Sequence, residues 1–402
     1  MKINKYFPFV FVYFFLNTTG LPIGLTYTAL LAPLFYVWIL LTRKKEILLP
    51  FIVALAPFII IQLLYPDVVR RVYFISLLNL LLVYIFCHAV YIFLKISKDP
   101  GYVFKQLLVI NFIFCLVAIV FYFTPWYQIL WYEKDLTSGV KVFRRLKLLT
   151  YEPSYYATLF TPIFCFFFLQ YLFRQNKTRG WKLLPMLFLP YLLSVSFGVT
   201  AALLISAVLV YLIYFVRLTS KRRVFHWVIF AGSFSAIAGS IFYFFFRETP
   251  IGLRFANIFS GQDLSGRART FDSFSIANRL ISEDHKWFGI GLGQIKIKAA
   301  DFIQQQYFFT HQFIPTIPNA VAETWAVFGW TGMLLRILIE IVLFFHTKVW
   351  TNYYRLWLFL FIFIYQFTGS FITNVAEYVI WILAFTNIFA QFNVKTKMPS
   401  SQ

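Results

Sequence analysis

Residues 72–94 read VYFISLLNLLLVYIFCHAVYIFL, a run without one Asp, Glu, Lys or Arg. A helix of about 20 apolar residues crosses the roughly 30 Å of hydrocarbon in a bilayer, so this stretch alone predicts a membrane span. Working outward from it, similar runs recur between charges or Pro/Gly/Asn clusters. Their limits are 6–19, 25–41, 47–65, 72–94, 104–124, 155–173, 181–196, 199–216, 226–246, 320–346, 355–371 and 376–392. The reading is an all-α integral membrane protein of about twelve transmembrane helices. The first, seventh and last runs are short or broken, which leaves eleven as the alternative count.

Composition supports the same class. Of 402 residues, 60% are hydrophobic, 22% aromatic and only 13% charged, with 53 Phe, 25 Tyr and 11 Trp. Such a chain is neither soluble, disordered, collagenous nor a disulfide scaffold. Cys87, Cys115 and Cys165 each sit in an apolar run, without CxxC spacing or a neighbouring metal-ligand pattern, and read as packing residues. The first run follows Lys2 and Lys5 in the manner of a secretory signal, but no small-x-small cleavage site follows it, and Asn17-Thr18-Thr19-Gly20 reads as an exit turn.

Lys and Arg set the orientation. One set of connections carries Lys2 and Lys5, Arg43-Lys44-Lys45, Lys95 and Lys98, Arg174 to Arg179, Arg217 to Arg223, Lys348 and Arg355, then Lys395 and Lys397. The opposite short loops at 20–24, 197–198 and 372–375 carry no base, while Arg70 and Arg71 are an exception in a fourth. Both termini are therefore expected in the cytoplasm. These bases also account for part of the formal net charge of +21 without nucleic acid as a partner, since nucleic-acid binders cluster their bases on a soluble face.

The chain then divides into helices 1–5 over residues 1–124, a first outer loop over 125–154, helices 6–9 over 155–246, a large outer loop over 247–319, and helices 10–12 with a cytoplasmic tail over 320–402. Only the two long loops have room for a site. Both are basic on the side where bases are disfavoured, which calls for an anionic ligand. Within the large loop, Thr270 to Glu283 and Gln294 to Phe308 carry helical spacing and read as amphipathic helices on the membrane or over the bundle. Between them Gly289-Ile290-Gly291-Leu292-Gly293 lacks the strand and βαβ context of a phosphate cradle and reads as a tight turn.

Three segments carry candidate chemistry. The first is Arg144-Arg145-Leu146-Lys147 followed by Tyr151-Glu152-Pro153-Ser154-Tyr155-Tyr156-Ala157, where the loop re-enters the membrane. Glu152 before Pro153 is an ordinary helix start; it is also a carboxylate beside two arginines at the interface, fit to act as a base or to orient an arginine. The second is Ser265-Gly266-Arg267-Ala268-Arg269, a turn presenting two guanidinium forks that match phosphate oxygens, with Arg279 following. Two solvated arginines are the plainer reading. The third is Thr310-His311-Gln312, then Pro318-Asn319-Ala320-Val321-Ala322-Glu323-Thr324-Trp325, leading to Gly329, Gly332 and Arg336. Asn319 and Glu323 share a helix face, and a carboxylate just inside a span needs a partner or an aqueous cavity. Gly329 and Gly332 suit close helix approach. His311 is a candidate base, though a surface histidine is the commoner outcome.

In these residues the chain resembles the bacterial polysaccharide (O-antigen) polymerases of the Wzy type and their relatives, the O-antigen ligases. The resemblance rests on Arg144-Arg145, Glu152 to Ala157, Ser265-Gly266-Arg267, Gly291-Leu292-Gly293 and the late large loop. Ligases carry His-Asn, nine residues, then Gly-x-x-Gly; here Asn319 and Gly329-Trp330-Thr331-Gly332 keep that spacing, but Pro318 holds the histidine position, which argues against a ligase.

The resemblance implies a GT-C-like fold in the bacterial inner membrane and a glycosyltransferase that joins undecaprenyl-diphosphate-linked oligosaccharide units into O-antigen or a similar lipopolysaccharide glycan. The membrane lipid, a flippase and a chain-length regulator are its implied partners. A developing diphosphate charge can be met by arginines, so Arg267, with Arg144, Arg145, Arg269 and Arg279, is assigned to it. Glu152 or His311 is the base, with Glu323 and Asn319 orienting them. No carboxylate cluster suits a divalent cation, so no cofactor or metal is expected. The rival reading is a lipid-linked oligosaccharide flippase, which predicts mid-membrane ionisable residues and an internal repeat.

Overall fold

A computed structural model describes residues 7–19, 21, 26–43, 46–97, 99–134, 143–173, 180–218, 252–253, 256–257, 260, 264–281, 285–300 and 315–394. Helices dominate it. In chain order, α1 (Phe7–Phe11) runs into a π-helical turn over Val12–Leu16, followed by α2 (Tyr27–Arg43), α3 (Leu48–Leu64), α4 (Arg70–Ile96) and α5 (Pro100–Tyr122). After the first loop come α6 (Pro153–Leu172), α7 (Gly180–Ser194) and α8 (Phe197–Leu218). The short α9 (Leu264–Arg269), α10 (Phe271–Leu280) and α11 (Ile295–Lys298) precede α12 (Ala320–His346), α13 (Tyr353–Tyr365) and α14 (Val375–Phe385).

Five of these helices, α4, α5, α6, α8 and α12, are long and apolar enough to cross a membrane, and six shorter apolar helices accompany them. They fall where the hydropathy runs predict, and the ninth run, 226–246, lies outside the described residues. The chain is thus a helical protein of membrane type. One departure from an all-α fold stands in the first loop, where β1 (Trp131–Lys134) pairs antiparallel with β2 (Phe143–Leu146), with Glu133 opposite Arg144. The ribbon is held to the bundle by Trp131, whose indole donates to the Ala118 carbonyl at 2.7 Å. Of the helix expected over Gln294 to Phe308, Ile295–Lys298 and Ala300 are helical, and 301–308 lie outside the described residues.

The bundle is built around α6, buried along most of its length through Tyr155, Tyr156, Phe160, Ile163, Phe164, Phe166 and Phe167. It packs against α5, α7, α8, α13 and α14. Lipid tails are as apolar as these side chains, so burial alone gives little drive to associate, and packing with buried hydrogen bonds holds such helices together. Tyr156 donates to Asn111 at 2.9 Å, and Thr161 and Tyr191 share a hydrogen bond of 2.8 Å. At the periphery α3 leaves Leu49, Ile52, Val53, Ile60 and Leu64 exposed, as a lipid-facing helix does.

The connections sort to two ends. At one, Thr19 donates to the Leu149 carbonyl at 2.6 Å, Arg145 to the Ser194 carbonyl at 3.1 Å, and Asn319 to the Phe367 carbonyl at 2.6 Å. At the other, Tyr214 reaches the Trp350 carbonyl at 2.6 Å and Asn352 the Phe389 carbonyl at 2.9 Å. This grouping matches the one expected from the lysines and arginines.

Candidate functional site

The large loop is fastened to the bundle where α12 is broken. Gly329 leaves helical geometry with φ of 67° and ψ of −167°, which frees backbone groups that a continuous helix would pair. The 286–291 segment takes them up. Ile290 N–H donates to Ala326 O at 2.9 Å and Gly291 N–H to Val327 O at 3.2 Å, while Trp330 and Thr331 N–H groups donate to Lys286 O and Trp287 O, each at 3.1 Å. Gly289, Gly291 and Gly293 all have positive φ. At Gly289 a Cβ would stand 2.4 Å from the Val327 main chain, so this backbone contact requires glycine. The glycine stretch is a turn, as expected, and also a docking strip. Gly329 acts through backbone pairing at a break, rather than through smooth helix approach.

This docking lays α10 on α12, with Asp272, Ser273, Ile276, Ala277 and Leu280 inward. Arg279 and Phe271 face outward. The end of α9 then meets the end of the first loop. Arg269 is half-buried, its guanidinium against the Tyr365 hydroxyl and within electrostatic range of Glu152 and Tyr151. Burial works against its charge, but Glu152, then Tyr365 and Tyr151, outweigh that and hold Arg269 more firmly protonated than usual. Glu152 is the N-cap residue of α6, with Pro153 at the first helical position, yet its side chain makes no capping hydrogen bond. Its carboxylate is therefore free of the commonest duty of an acid at that position.

Two expected ligands are occupied inside the protein. Arg144 pairs with Glu133 at 3.5 Å, donates to the Tyr122 carbonyl at 2.9 Å and lies over the Tyr127 ring at 3.6 Å from its centroid; it clamps the hairpin. Asn319 is fully buried. Its oxygen caps α12 by accepting from Ala322 N–H at 2.9 Å, and its amide donates to the carbonyls of Arg269 at 2.9 Å and Phe367 at 2.6 Å. It holds Arg269 in place instead of facing a ligand.

The others are dispersed around this point. Arg145 points to the opposite face of the hairpin from Arg144 and donates to Ser194 O. Arg267 is 53% exposed and pairs loosely with Asp272 at 3.7 Å. Glu323, in the first turn of α12, accepts from Ile372 N–H at 2.7 Å, which pins the loop before α14. His311 lies outside the described residues. His285 instead sits 3.2 Å from Asp67, beside Lys298, and joins the large loop to the α3–α4 connection.

No protein-family model matches the chain, and no curated protein sequence matches it significantly.

Sequence reading missed Tyr365, Gln366 and Glu377. Beneath the site Arg336 donates through Nε to Glu340 at 3.2 Å and to Gln366 at 2.9 Å, through Nη1 to Thr324 at 3.1 Å, and through Nη2 to Glu377. Arg336 with Glu340 was visible as a charged i,i+4 pair in a span. Glu377 carried the same signal, an ionisable residue in an apolar run, but its partner is 41 positions away.

Proposed function

We propose that the chain is a glycosyltransferase of the bacterial inner membrane that polymerises oligosaccharide units carried on undecaprenyl diphosphate, at the outer face and with both termini in the cytoplasm. The single observation that carries this reading is that Arg269, from one long basic loop, lies within electrostatic range of Glu152, from the other.

The reaction needs two things of such a site. The C1–O bond to the carrier diphosphate breaks as the acceptor sugar hydroxyl forms its bond to C1, and the bonding electrons leave with the diphosphate. Arg269, with the exposed Arg267 and Arg279 on the same segment, supplies positive charge where that negative charge grows. The hydroxyl proton passes to Glu152, whose carboxylate makes no helix-capping bond. The exposed ring of Tyr151, tilted against Tyr155 with centroids 4.9 Å apart, offers a face to sugar or prenyl groups.

A flippase is the second reading, favoured by one observation: the buried Arg336–Glu340–Glu377 group is the ionisable cluster within spans that a transporter would use. A ligase remains disfavoured by Pro318. The test is a strain with intact unit synthesis carrying Arg267→Ala, Arg269→Ala or Glu152→Gln. The expected surface glycan is a single repeat at normal protein level, with Arg→Lys separating fork geometry from charge. An unchanged long-chain distribution in all three overturns the assignment. Lipid-linked units trapped on the cytoplasmic side of a deletion strain would favour the flippase.

A further inference from the structure

Gln366 stands between the two residues that fix the two ends of Arg269. On one side, the Tyr365 hydroxyl meets the Arg269 guanidinium. On the other, the Phe367 carbonyl accepts from the Asn319 amide at 2.6 Å, and that amide also donates to the Arg269 carbonyl at 2.9 Å. Whatever holds Gln366 therefore holds the Arg269 backbone through the Asn319 bridge, with Tyr365 beside the guanidinium.

What holds Gln366 is the buried charge cluster. Gln366 is fully buried, its oxygen accepting from Arg336 Nε at 2.9 Å and its amide donating to Glu340 at 2.7 Å. A guanidinium inside a bundle is costly unless each of its N–H groups has a partner. Arg336 meets this demand only with Glu340, Gln366, Thr324 and Glu377 where they stand. Glu377 is in turn fixed by Ser370 at 2.5 Å, and Ser370 by Asn374 at 2.8 Å. The desolvation demand of one cation is thus converted into a fixed register for the whole 365–374 turn.

We infer that Arg336, acting through Gln366, is a positioning residue for Arg269. Its functional consequence rests on the proposed role of Arg269 at the diphosphate; its geometry does not.

The test uses the full chain in native membranes and reads position apart from activity. A cysteine at Ala268, half-buried beside Arg269, is labelled with a membrane-impermeant maleimide. The chain without the added cysteine gives the background of Cys87, Cys115 and Cys165. A cysteine at Ala299, buried on the same loop in the hydrophobic cluster with Ile290, Leu292 and Ile295, is the control. Gln366→Met severs the link without leaving a charge unpaired, and Arg336→Lys keeps the charge but loses the fork. Both should raise labelling at position 268 by about threefold or more and leave position 299 unchanged. No rise at 268, or an equal rise at 299, overturns the inference, the latter meaning general loosening. Glycan length in the same strains answers separately: faster labelling at 268 with full-length glycan keeps the positioning role and sinks the polymerase reading, whereas faster labelling with shortened glycan supports both.

Discussion

Gln62 on α3 donates its side-chain amide to Val327 O at 2.8 Å and to Phe288 O at 2.6 Å, so one residue joins the break in α12 to the large loop. Gln62 is fully buried. Gln62→Leu keeps the volume but leaves two carbonyls without this donor, at a cost of about 1–3 kcal/mol. The melting temperature in detergent should fall by several degrees, and an unchanged value would show that the loop docks without α3.

The glycine strip gives a graded set. Gly289→Ala and Gly329→Ala each combine positive φ with a Cβ 2.4 Å from opposing main chain, at Val327 and Trp287 respectively. Neither neighbour is a flexible side-chain end, so both variants should fail to accumulate as folded protein. Gly198→Ala, whose Cβ would meet only the Thr368 carbonyl at 4.0 Å, should be tolerated. Fluorescence-detected size exclusion of tagged variants ranks all three.

Acid should loosen the α3–α4 connection from the large loop. Burial would raise the Asp67 carboxyl, but the Lys298 hydrogen bond and charge, with His285, outweigh it and hold the carboxyl below the ordinary carboxylate range. A depressed folded pKa contributes stability that is present above the unfolded value and is lost as pH falls through the folded one. Asp67→Asn should therefore melt below the parent chain at neutral pH, and the two melting curves should converge once the pH has fallen through the lowered Asp67 pKa. A gap that persisted there would assign the effect to packing.

Arg144 and Arg269 make opposite predictions despite both reading as phosphate ligands. Arg144→Ala removes the Tyr127 stacking and the Glu133 pair, with about 0.5–2 kcal/mol of stability, and should leave glycan length near that of the parent chain. Arg269→Ala should shorten the glycan with little change in melting temperature. Gel profiles of surface glycan beside melting curves separate the two. Single-unit glycan from Arg144→Ala at normal protein level would return Arg144 to the substrate path.

Much of the architecture was legible because bilayer thickness writes itself into one dimension: a span must be a continuous apolar run. The helices from α2 to α8 and α12 to α14 follow such runs. The hairpin over Trp131–Leu146 was not legible, since four-residue strands carry too short a pattern to stand out from a polar loop.

At the candidate site, sequence picked out Glu152 and Arg269 by residue type and by their place at loop ends. It could not show that Asn319 caps α12 and donates to two carbonyls, and it passed over Tyr365, one of 25 tyrosines. Hydropathy and charge act along the chain and can be read there. Which arginine stays free to meet a ligand depends on which partners lie within 3–4 Å of it. For Arg144 one such partner is 11 positions away, brought to it by strand pairing, and for Arg336 one is 41 away, brought to it by packing of the helices.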